Sequence, residues 1–248
     1  MSLIVMACYD TEDNGRSQYT KETLMGLRDT VDFKKHRLII SDNGSCEETQ
    51  EILRKLAPLC NAHVIHNGEN LGTAKAVNKG MKMRRTGENV IKLDNDIVIH
   101  SSGWVDEMEE AINRDPAIGI IGLKRKDIDF NGQVLMLPHI SGQRWIMVER
   151  GGSIMGTCTM FNHMMIDKIG AMSQPGLYGF DDCLYCLRSE LAGFWNCYLP
   201  HINIDHIDTG ANPQTQVKWG LAGAVWDEYH KWHEEYINGT RQLWENFE

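Results

Sequence analysis

The chain has 248 residues, of which 42% are hydrophobic and 24% charged; this is typical of a globular protein and excludes wholesale disorder. Its 34 acidic and 25 basic residues give a formal charge of −9, which excludes a general polyanion-binding surface but leaves room for a local basic pocket. No run approaches the roughly 18 apolar residues of a membrane span, so we expect a cytoplasmic protein without a membrane helix. The seven cysteines are odd in number and stand in apolar segments, as expected of reduced core thiols.

The first half alternates short apolar runs with helical patterns. Strands are predicted at 3–8, 37–41, 62–66, 89–93 and 118–123, and helices at 19–30, 45–56, 73–84 and 103–114. Strands that alternate with helices of this length form a parallel sheet with right-handed crossovers. Ser45 and Glu48 have the spacing of a capping box, which predicts Ser45 as an N-cap. We therefore predict an α/β fold with a mostly parallel central sheet flanked by helices.

The pattern changes after Leu123. Residues 124–157 are rich in Gly, Met and mixed charge. A strand is predicted at 157–161 and helices at 164–169 and 181–192, before a C-terminal tail that carries Trp219, Trp226, Trp232 and Trp244. No repeat or low-complexity linker interrupts the chain, so we predict a single domain, 1–248, in two halves.

Polar clusters stand at the carboxyl ends of three predicted strands. In open parallel sheets ligands bind at this edge, so the clusters would converge on one crevice. Two acidic residues two positions apart can ligate a hard divalent cation that bridges a diphosphate; a turn with helix-capping aspartates is the alternative for 94–96. The clusters are Tyr9-Asp10, Asp42-Asn43 and Asp94-Asn95-Asp96.

Three further candidate residues lie in the second half. Asp181 and Asp182 open a predicted helix, where one of them could act as a general base on a hydroxyl. The alternative is that both complement the helix dipole. His206 stands in an apolar stretch, where a lone histidine is usually a core residue; beside the acidic pair at 94–96 it becomes a candidate third metal ligand.

Taken in chain order, these segments resemble GT-A fold glycosyltransferases, in particular the large inverting family 2. The resemblance is continuous over 3–123 and runs in pieces over 155–206. No single motif is specific, and the ordered set carries the resemblance. The segments are Tyr9-Asp10, Ser41-Asp-Asn-Gly-Ser45, Glu69-Asn-Leu-Gly72, Asn78-Lys-Gly80, Lys92-Leu-Asp-Asn-Asp96, Ser102-Gly-Trp104, Asp115-Pro116 and Gly179 to Gly193.

The resemblance implies a metal-dependent, inverting transfer of a sugar from a nucleoside-diphosphate sugar, with UDP favoured, to an acceptor hydroxyl. It implies that Asp94, Asp96 and His206 hold Mn²⁺ or Mg²⁺. Asp182 would be the catalytic base, with Asp181 as its neighbour. The nucleotide-sugar-binding residues that it implies are Tyr9, Asp10, Asp42, Asn43, Lys75, Asn78, Asp94 and Asn95.

Residues 1–123 would then bind the nucleotide sugar, and 124–248, with a helical tail, would bind the acceptor. We expect a soluble saccharide, protein or small molecule as the acceptor. The tail tryptophans could stack on a sugar or a base, although the sequence favours a place in the core or in a homo-oligomer interface. A modified base in DNA, as in virus-encoded enzymes, is an alternative acceptor, and it would need a basic patch. The candidates are Lys124-Arg-Lys126, Arg144 and Arg150.

Two other functions are weighed against this one. A nucleotidyltransferase usually has a Gly-rich, basic loop directly after its first strand, whereas residues 9–14 are acidic and the first glycine is Gly15. A non-catalytic nucleotide-sugar binder would not need the carboxylates of Asp94, Asp96 and Asp182. Both functions are therefore disfavoured.

Overall fold

The computed structural model describes residues 1–126, 135–138, 145–149, 153–208, 210 and 213–247. Within them the predicted α/β architecture, with helices flanking a central sheet, is confirmed. The strands are β1 (Ser2–Cys8), β2 (Arg37–Asp42), β3 (His63–His66), β4 (Asn89–Asp94), β5 (Ile97–Ile99), β6 (Ile118–Arg125), β7 (Leu135–Pro138), β8 (Trp145–Glu149), β9 (Cys158–Phe161) and β10 (Trp195–His206).

Eight α-helices lie in the described ranges, and a 3-10 turn follows the second of them at Ala57–Cys60. The tail from residue 213 is helical, as expected. The helices are α1 (Ser17–Thr30), α2 (Glu47–Leu56), α3 (Thr73–Met81), α4 (Trp104–Arg114), α5 (His163–Ile169), α6 (Asp181–Leu191), α7 (Pro213–Ala224) and α8 (Trp226–Ile237).

All ten described strands join one sheet. Its order is β3-β2-β1-β4-β9-β6-β10-β8-β7, and β5 pairs with β10 beside this path. The strands β3, β2, β1 and β4 are mutually parallel, as the alternating sequence pattern predicts. β9 is antiparallel to both of its neighbours and separates β4 from β6, and β10 returns parallel to β6.

Both faces of the sheet are covered, which explains the unbroken apolar run of β1. Ile4 and Met6 point into one core with residues of α1, α2 and α4. Leu3 and Val5 point into the other core with residues of α3, α5 and α6. Successive side chains of a strand face opposite sides of the sheet, so only a strand covered on both faces needs every position apolar.

The start of α2 differs from the prediction. The helix begins at Glu47 with Cys46 as its N-cap, and no side chain caps it. The hydroxyl of Ser45 instead accepts a hydrogen bond from the Asp10 backbone N–H at 3.1 Å. The predicted capping role of Ser45 is therefore wrong, because a contact between two strand ends engages its hydroxyl.

β10 is longer than the stretch at 204–207 that the sequence indicated. Pro200, Asn203 and Asp205 interrupt its apolar pattern, and its pairing with β6 slips between Leu199 and Asn203. A strand with a slipped register does not keep a clean two-residue alternation of apolar side chains. The seven cysteines are free, and no helix of the described ranges is long and apolar enough to cross a membrane.

We predict that Gly80→Ala destabilises the fold. Gly80 lies in α3 against β1, and a Cβ there would overlap the side chain of Val5. Overpacking of this kind costs about 1–3 kcal/mol of the free energy of unfolding, measurable by urea denaturation. Gly220→Ala in α7 is the control, because a Cβ there meets nothing within 4 Å and should stabilise by about 0.5–1 kcal/mol. Equal stability of Gly80→Ala and the wild type would contradict the packing of α3 on β1.

Candidate active site

A cavity of about 750 Å³ opens where β1, β2 and β4 end. Side chains of both halves of the chain line it. It brings together eight of the residues proposed from the sequence, namely Tyr9, Asn43, Asp94, Asn95, Asp96, Asp181, Asp182 and His206.

Strand pairing places His206 beside the acidic pair at 94–96. β5 starts immediately after Asp96, and its first residue, Ile97, lies opposite His206 in the antiparallel pairing with β10. The Ile207 N–H donates to the Asp96 carbonyl at 2.9 Å. The His206 Nε2 consequently lies 3.5 Å from the Asp96 Oδ2.

A buried arginine holds Asp96. The Arg16 side chain, from the loop before α1, donates to the Asp96 Oδ2 at 2.8 Å and to the carboxylate of Asp208. Burial alone would raise the pKa of Asp96, but the charges of Arg16 and His206 outweigh it and lower this pKa. The Asp96 Oδ1 is buried without a hydrogen-bond partner among the described residues. Asp96 is therefore an ionised carboxylate with one oxygen left for a ligand.

A buried lysine connects Asp94 to Asp181. The Lys92 Nζ lies 2.9 Å from the Asp94 Oδ1 and 3.8 Å from the Asp181 Oδ2, and it donates to the Gly156 carbonyl. Burial alone would lower the pKa of Lys92, but the two carboxylates outweigh it and raise this pKa. Burial raises the pKa of Asp94, against the effect of Lys92. Burial also raises the pKa of Asp181 to about 6.

Backbone groups orient Asp182 in the first turn of α6. Its Oδ2 accepts from the Gly156 N–H at 3.1 Å, and its Oδ1 accepts from the Cys183 N–H at 2.8 Å. Gly156 passes so close that a Cβ there would lie 2.9 Å from the Lys92 Nζ and 3.1 Å from the Asp182 Cβ. Two backbone N–H groups thus hold the carboxylate of Asp182 at the cavity wall.

Asp10 does not line the cavity, because its carboxylate is engaged in the frame. It accepts hydrogen bonds from the hydroxyls of Thr20 at 2.6 Å and Thr49 at 3.0 Å, and from the Asn95 amide at 2.8 Å. These partners come from α1, α2 and the loop after β4. Asp10 therefore joins three segments beneath the site, and the structure does not bring it to the cavity wall with the other proposed residues.

Three other expected donor-binding residues also lie off the cavity. Asp42 is buried, and its carboxylate accepts from the Ser45 N–H and the Gln50 side chain. The Asn78 amide bonds both polar backbone groups of Met172, at 2.8 and 2.9 Å. Lys75 is exposed on α3. The first two build the loops around the cavity, and Lys75 does not reach it.

Four charged residues of the cavity were given no role in the sequence analysis: Arg16, Lys92, Asp208 and Lys218. Asp208 had only a weak signal: it stands two positions after His206, just beyond the end of β10. Lys92 stands two positions before Asp94 in the same strand, and strand alternation places both on one face. Arg16 had no signal in the sequence, since its partners Asp96 and Asp208 are 80 and 192 residues away. The Lys218 Nζ lies 3.8 Å from the Asp208 Oδ2, and burial lowers the pKa of Lys218.

The candidate basic patch is only partly visible. Arg125 lines the cavity, whereas Lys126 forms an ion pair with Asp205 at 2.6 Å. Arg144 and Arg150 lie outside the described residues, as does much of the predicted acceptor segment after residue 126.

None of the four tail tryptophans is a core residue: three are exposed, and Trp232 is partly buried. The side chains of Trp219, Trp226 and Trp244 are 70%, 52% and 44% exposed. Trp219 lines the cavity together with Val217 and Leu221, which are also exposed. One end of the cavity is therefore apolar and open to solvent.

Comparison with known proteins identifies the family. The model of glycosyl transferase family 2 matches residues 3–170, more than half of the sequence. The chain belongs to this family. The match confirms the resemblance to family 2 that the ordered sequence segments carry. No curated protein matches the sequence significantly.

Solved structures confirm the GT-A fold. The chain is similar to the mannosyltransferase PcManGT from Pyrobaculum calidifontis, in complex with GDP-Man and Mn²⁺, with 14% identity, a TM-score of 0.63, and coverage of 83% of this chain and 56% of that one. It is also similar to S. aureus TarS 1–349 with UDP, at 17% identity, a TM-score of 0.60 and coverage of 83% and 60%. The complex of TarS with UDP-GlcNAc gives 16% identity, a TM-score of 0.60 and coverage of 84% and 61%. The chain thus spans less than two thirds of each relative.

We predict that Arg16→Met destabilises the protein strongly. The substitution removes the guanidinium from the buried carboxylates of Asp96 and Asp208. Breaking a buried ion pair from one side costs about 3–5 kcal/mol of the free energy of unfolding, which urea denaturation measures. Arg84→Met serves as the control, because its partner Asp167 is half exposed and such pairs contribute about 0–1 kcal/mol. A loss no larger than that of the control would show that Arg16 is not needed to balance these acids.

Proposed function

We propose that the chain transfers a sugar from a nucleoside-diphosphate sugar to an acceptor hydroxyl, with the cavity as the active site. One observation carries the proposal: the acidic pair Asp94 and Asp96 and the candidate base Asp182 line the same cavity. Its volume of about 750 Å³ suits a ligand of this size, since such sites span about 300–1,000 Å³. Membership of glycosyl transferase family 2 supports the same activity.

The two halves of the chain would form one domain. The donor would lie along the strand ends, in the half formed by residues 1–123. Tyr9 and Asn43 would contact the base and Asn95 the sugar-phosphate portion, since all three line the cavity. Arg125 and Lys218 would attract the diphosphate. We propose a UDP-linked donor from the resemblance; the neighbours hold both UDP and GDP sugars.

Asp94, Asp96 and His206 would hold Mn²⁺ or Mg²⁺. Two carboxylates and an imidazole suit such ions, and the unpartnered Asp96 Oδ1 is a buried oxygen available to one. PcManGT was solved with Mn²⁺. When bound, the ion would neutralise charge on the departing nucleoside diphosphate.

Asp182 would be the catalytic base. The acceptor hydroxyl would lose its proton to this carboxylate and attack the anomeric carbon, while the bond from that carbon to the diphosphate oxygen breaks. A single base without an enzyme nucleophile implies inversion at the anomeric carbon, by analogy with inverting hydrolases. Asp181 would be the neighbour of this base, and its Oδ2 lies 3.8 Å from the Lys92 Nζ.

The acceptor would enter at the apolar end of the cavity, in the half formed by residues 124–248. Trp219 combines high exposure with a place in the cavity wall. An exposed indole beside a polar cavity offers a flat apolar face to the C–H groups of a sugar ring. The carboxylates of the cavity would accept hydrogen bonds from the hydroxyls of the same sugar. This arrangement favours a saccharide acceptor.

We predict that Asp182→Asn abolishes transfer. The amide cannot accept the acceptor proton, so kcat should fall by about 100-fold or more, as when a general base is removed. The amide oxygen can still accept from the Gly156 N–H, so UDP affinity should stay unchanged. A panel of nucleotide sugars with mass readout identifies the donor first, and calorimetry then measures UDP binding.

Asp181→Asn is the matched comparison for this experiment. It keeps Asp182 intact and should retain most of kcat. If Asp181→Asn abolishes transfer and Asp182→Asn does not, the base has been assigned to the wrong aspartate. Transfer by neither variant nor the wild type, with every donor tested, would refute the proposed activity.

We predict that UDP binding depends on a divalent cation and on Asp96. In calorimetry, omission of Mn²⁺ or the change Asp96→Asn should each weaken UDP binding by about tenfold or more, as loss of an ionic ligand does. Asp205→Asn is the control, because Asp205 pairs with His100 and Lys126 outside the cavity. Identical UDP affinity with and without Mn²⁺ would remove the metal from the proposal.

A further inference from the structure

The helix that carries Asp181 and Asp182 is preceded by an unusual backbone conformation. Phe180, at the N-cap of α6, has φ 65° and ψ 2°, in the left-handed region. Phe180 and Asn61 are the two non-glycine residues with positive φ in the described part of the chain. Asparagine adopts this conformation readily, whereas a bulky side chain does so rarely and at a cost in energy. Contacts elsewhere must therefore stabilise Phe180 in this state.

Aromatic side chains of α8 make those contacts. The ring of Tyr229 stacks on the ring of Phe180, with centroids 4.1 Å apart and planes at 12°. The ring of Trp226 meets the Phe180 ring edge to face at 5.7 Å and 62°. Aromatic pairs at such distances attract each other beyond the effect of burial. Gly179 is enclosed as well, since a Cβ there would lie 3.0 Å from the Ala222 Cβ of α7.

The conformation of Phe180 determines the direction in which α6 begins. Its carbonyl accepts the first hydrogen bond of the helix, from the Leu184 N–H at 3.0 Å. Rotation of Phe180 to an extended conformation would move this carbonyl and turn the first residues of α6. The bond between the Asp182 Oδ2 and the Gly156 N–H, 3.1 Å long, depends on the present direction.

We propose that Tyr229 is a positioning residue, which holds Phe180 in the left-handed conformation and so directs the carboxylates of Asp181 and Asp182 into the cavity. The inference rests on the proposed role of Asp182 as the base. It gives α8 a part in the reaction although its residues do not line the cavity. It also distinguishes Tyr229 from the exposed Trp219, which lines the cavity itself.

The first measurement is the effect of Tyr229→Ala on transfer. Loss of the stack should let the start of α6 relax, and a displaced catalytic group can cost about 100-fold in kcat. The KM for the donor should change little, because the donor side of the cavity is untouched. Tyr229→Phe is the matched control: it keeps the ring, removes only the hydroxyl, and should retain kcat.

The decisive variant combines Tyr229→Ala with Phe180→Gly. Glycine adopts positive φ without help, so the stack is no longer needed to hold the conformation. The double variant should recover kcat to within about threefold of Phe180→Gly alone, a coupling that only interacting residues show. A double variant as slow as Tyr229→Ala would overturn the proposal, as would full kcat in Tyr229→Ala. Loss of kcat in Tyr229→Phe would also overturn it, since the hydroxyl rather than the ring would then matter.

Amide exchange of Leu184, measured by NMR, tests the conformation without any activity. Tyr229→Ala should speed the exchange by about tenfold or more, because local opening exposes the bond to Phe180, and the double variant should restore it. If exchange follows this pattern while the wild type transfers no sugar, the proposed function fails, whereas the stabilisation of the Phe180 conformation by Tyr229 stands. Unchanged exchange in Tyr229→Ala overturns the inference, whatever the activity.

Discussion

Charge balance inside the cavity is the constraint on which the site depends. Carboxylates cluster where the strands end, and buried carboxylates are costly unless cations and hydrogen bonds accompany them. Lys92 pairs with the first aspartate of 94–96 and approaches Asp181, while Arg16 joins the second aspartate to Asp208. Each cation therefore connects an acid of the first half to an acid of the second. The same ion pairs therefore neutralise the buried charge and join the two halves of the chain.

Several residues that carry the family resemblance build the frame of the site rather than its surface. Asp10 joins three segments through its carboxylate, and Asn78 clamps the backbone of Met172. Gly80 lets α3 approach β1. A sequence motif marks residues that the fold requires in place, and it does not separate those that contact a ligand from those that hold the loops.

The second half contributes its residues by long-range contacts. β10 pairs with β5 and so brings His206 to the acidic pair at 94–96, and Tyr229 of α8 stacks on Phe180, the residue before α6. The residue before α6 thus packs against a ring that lies 49 residues further along the chain, Phe180 against Tyr229. Rigid placement of this kind is what a catalytic carboxylate needs, because small displacements of a base slow the reaction steeply.

The sequence alone determined the α/β class, the strands of the first half and the acidic positions at their carboxyl ends. Apolar periodicity and turn residues are local, so they can be identified along the chain. The tertiary structure decided the insertion of β9 beside β4, the role of Ser45, and the partners of Arg16 and Phe180. These depend on which segments meet in space. Neither a slipped register nor a contact across 192 residues leaves a periodic trace in the sequence.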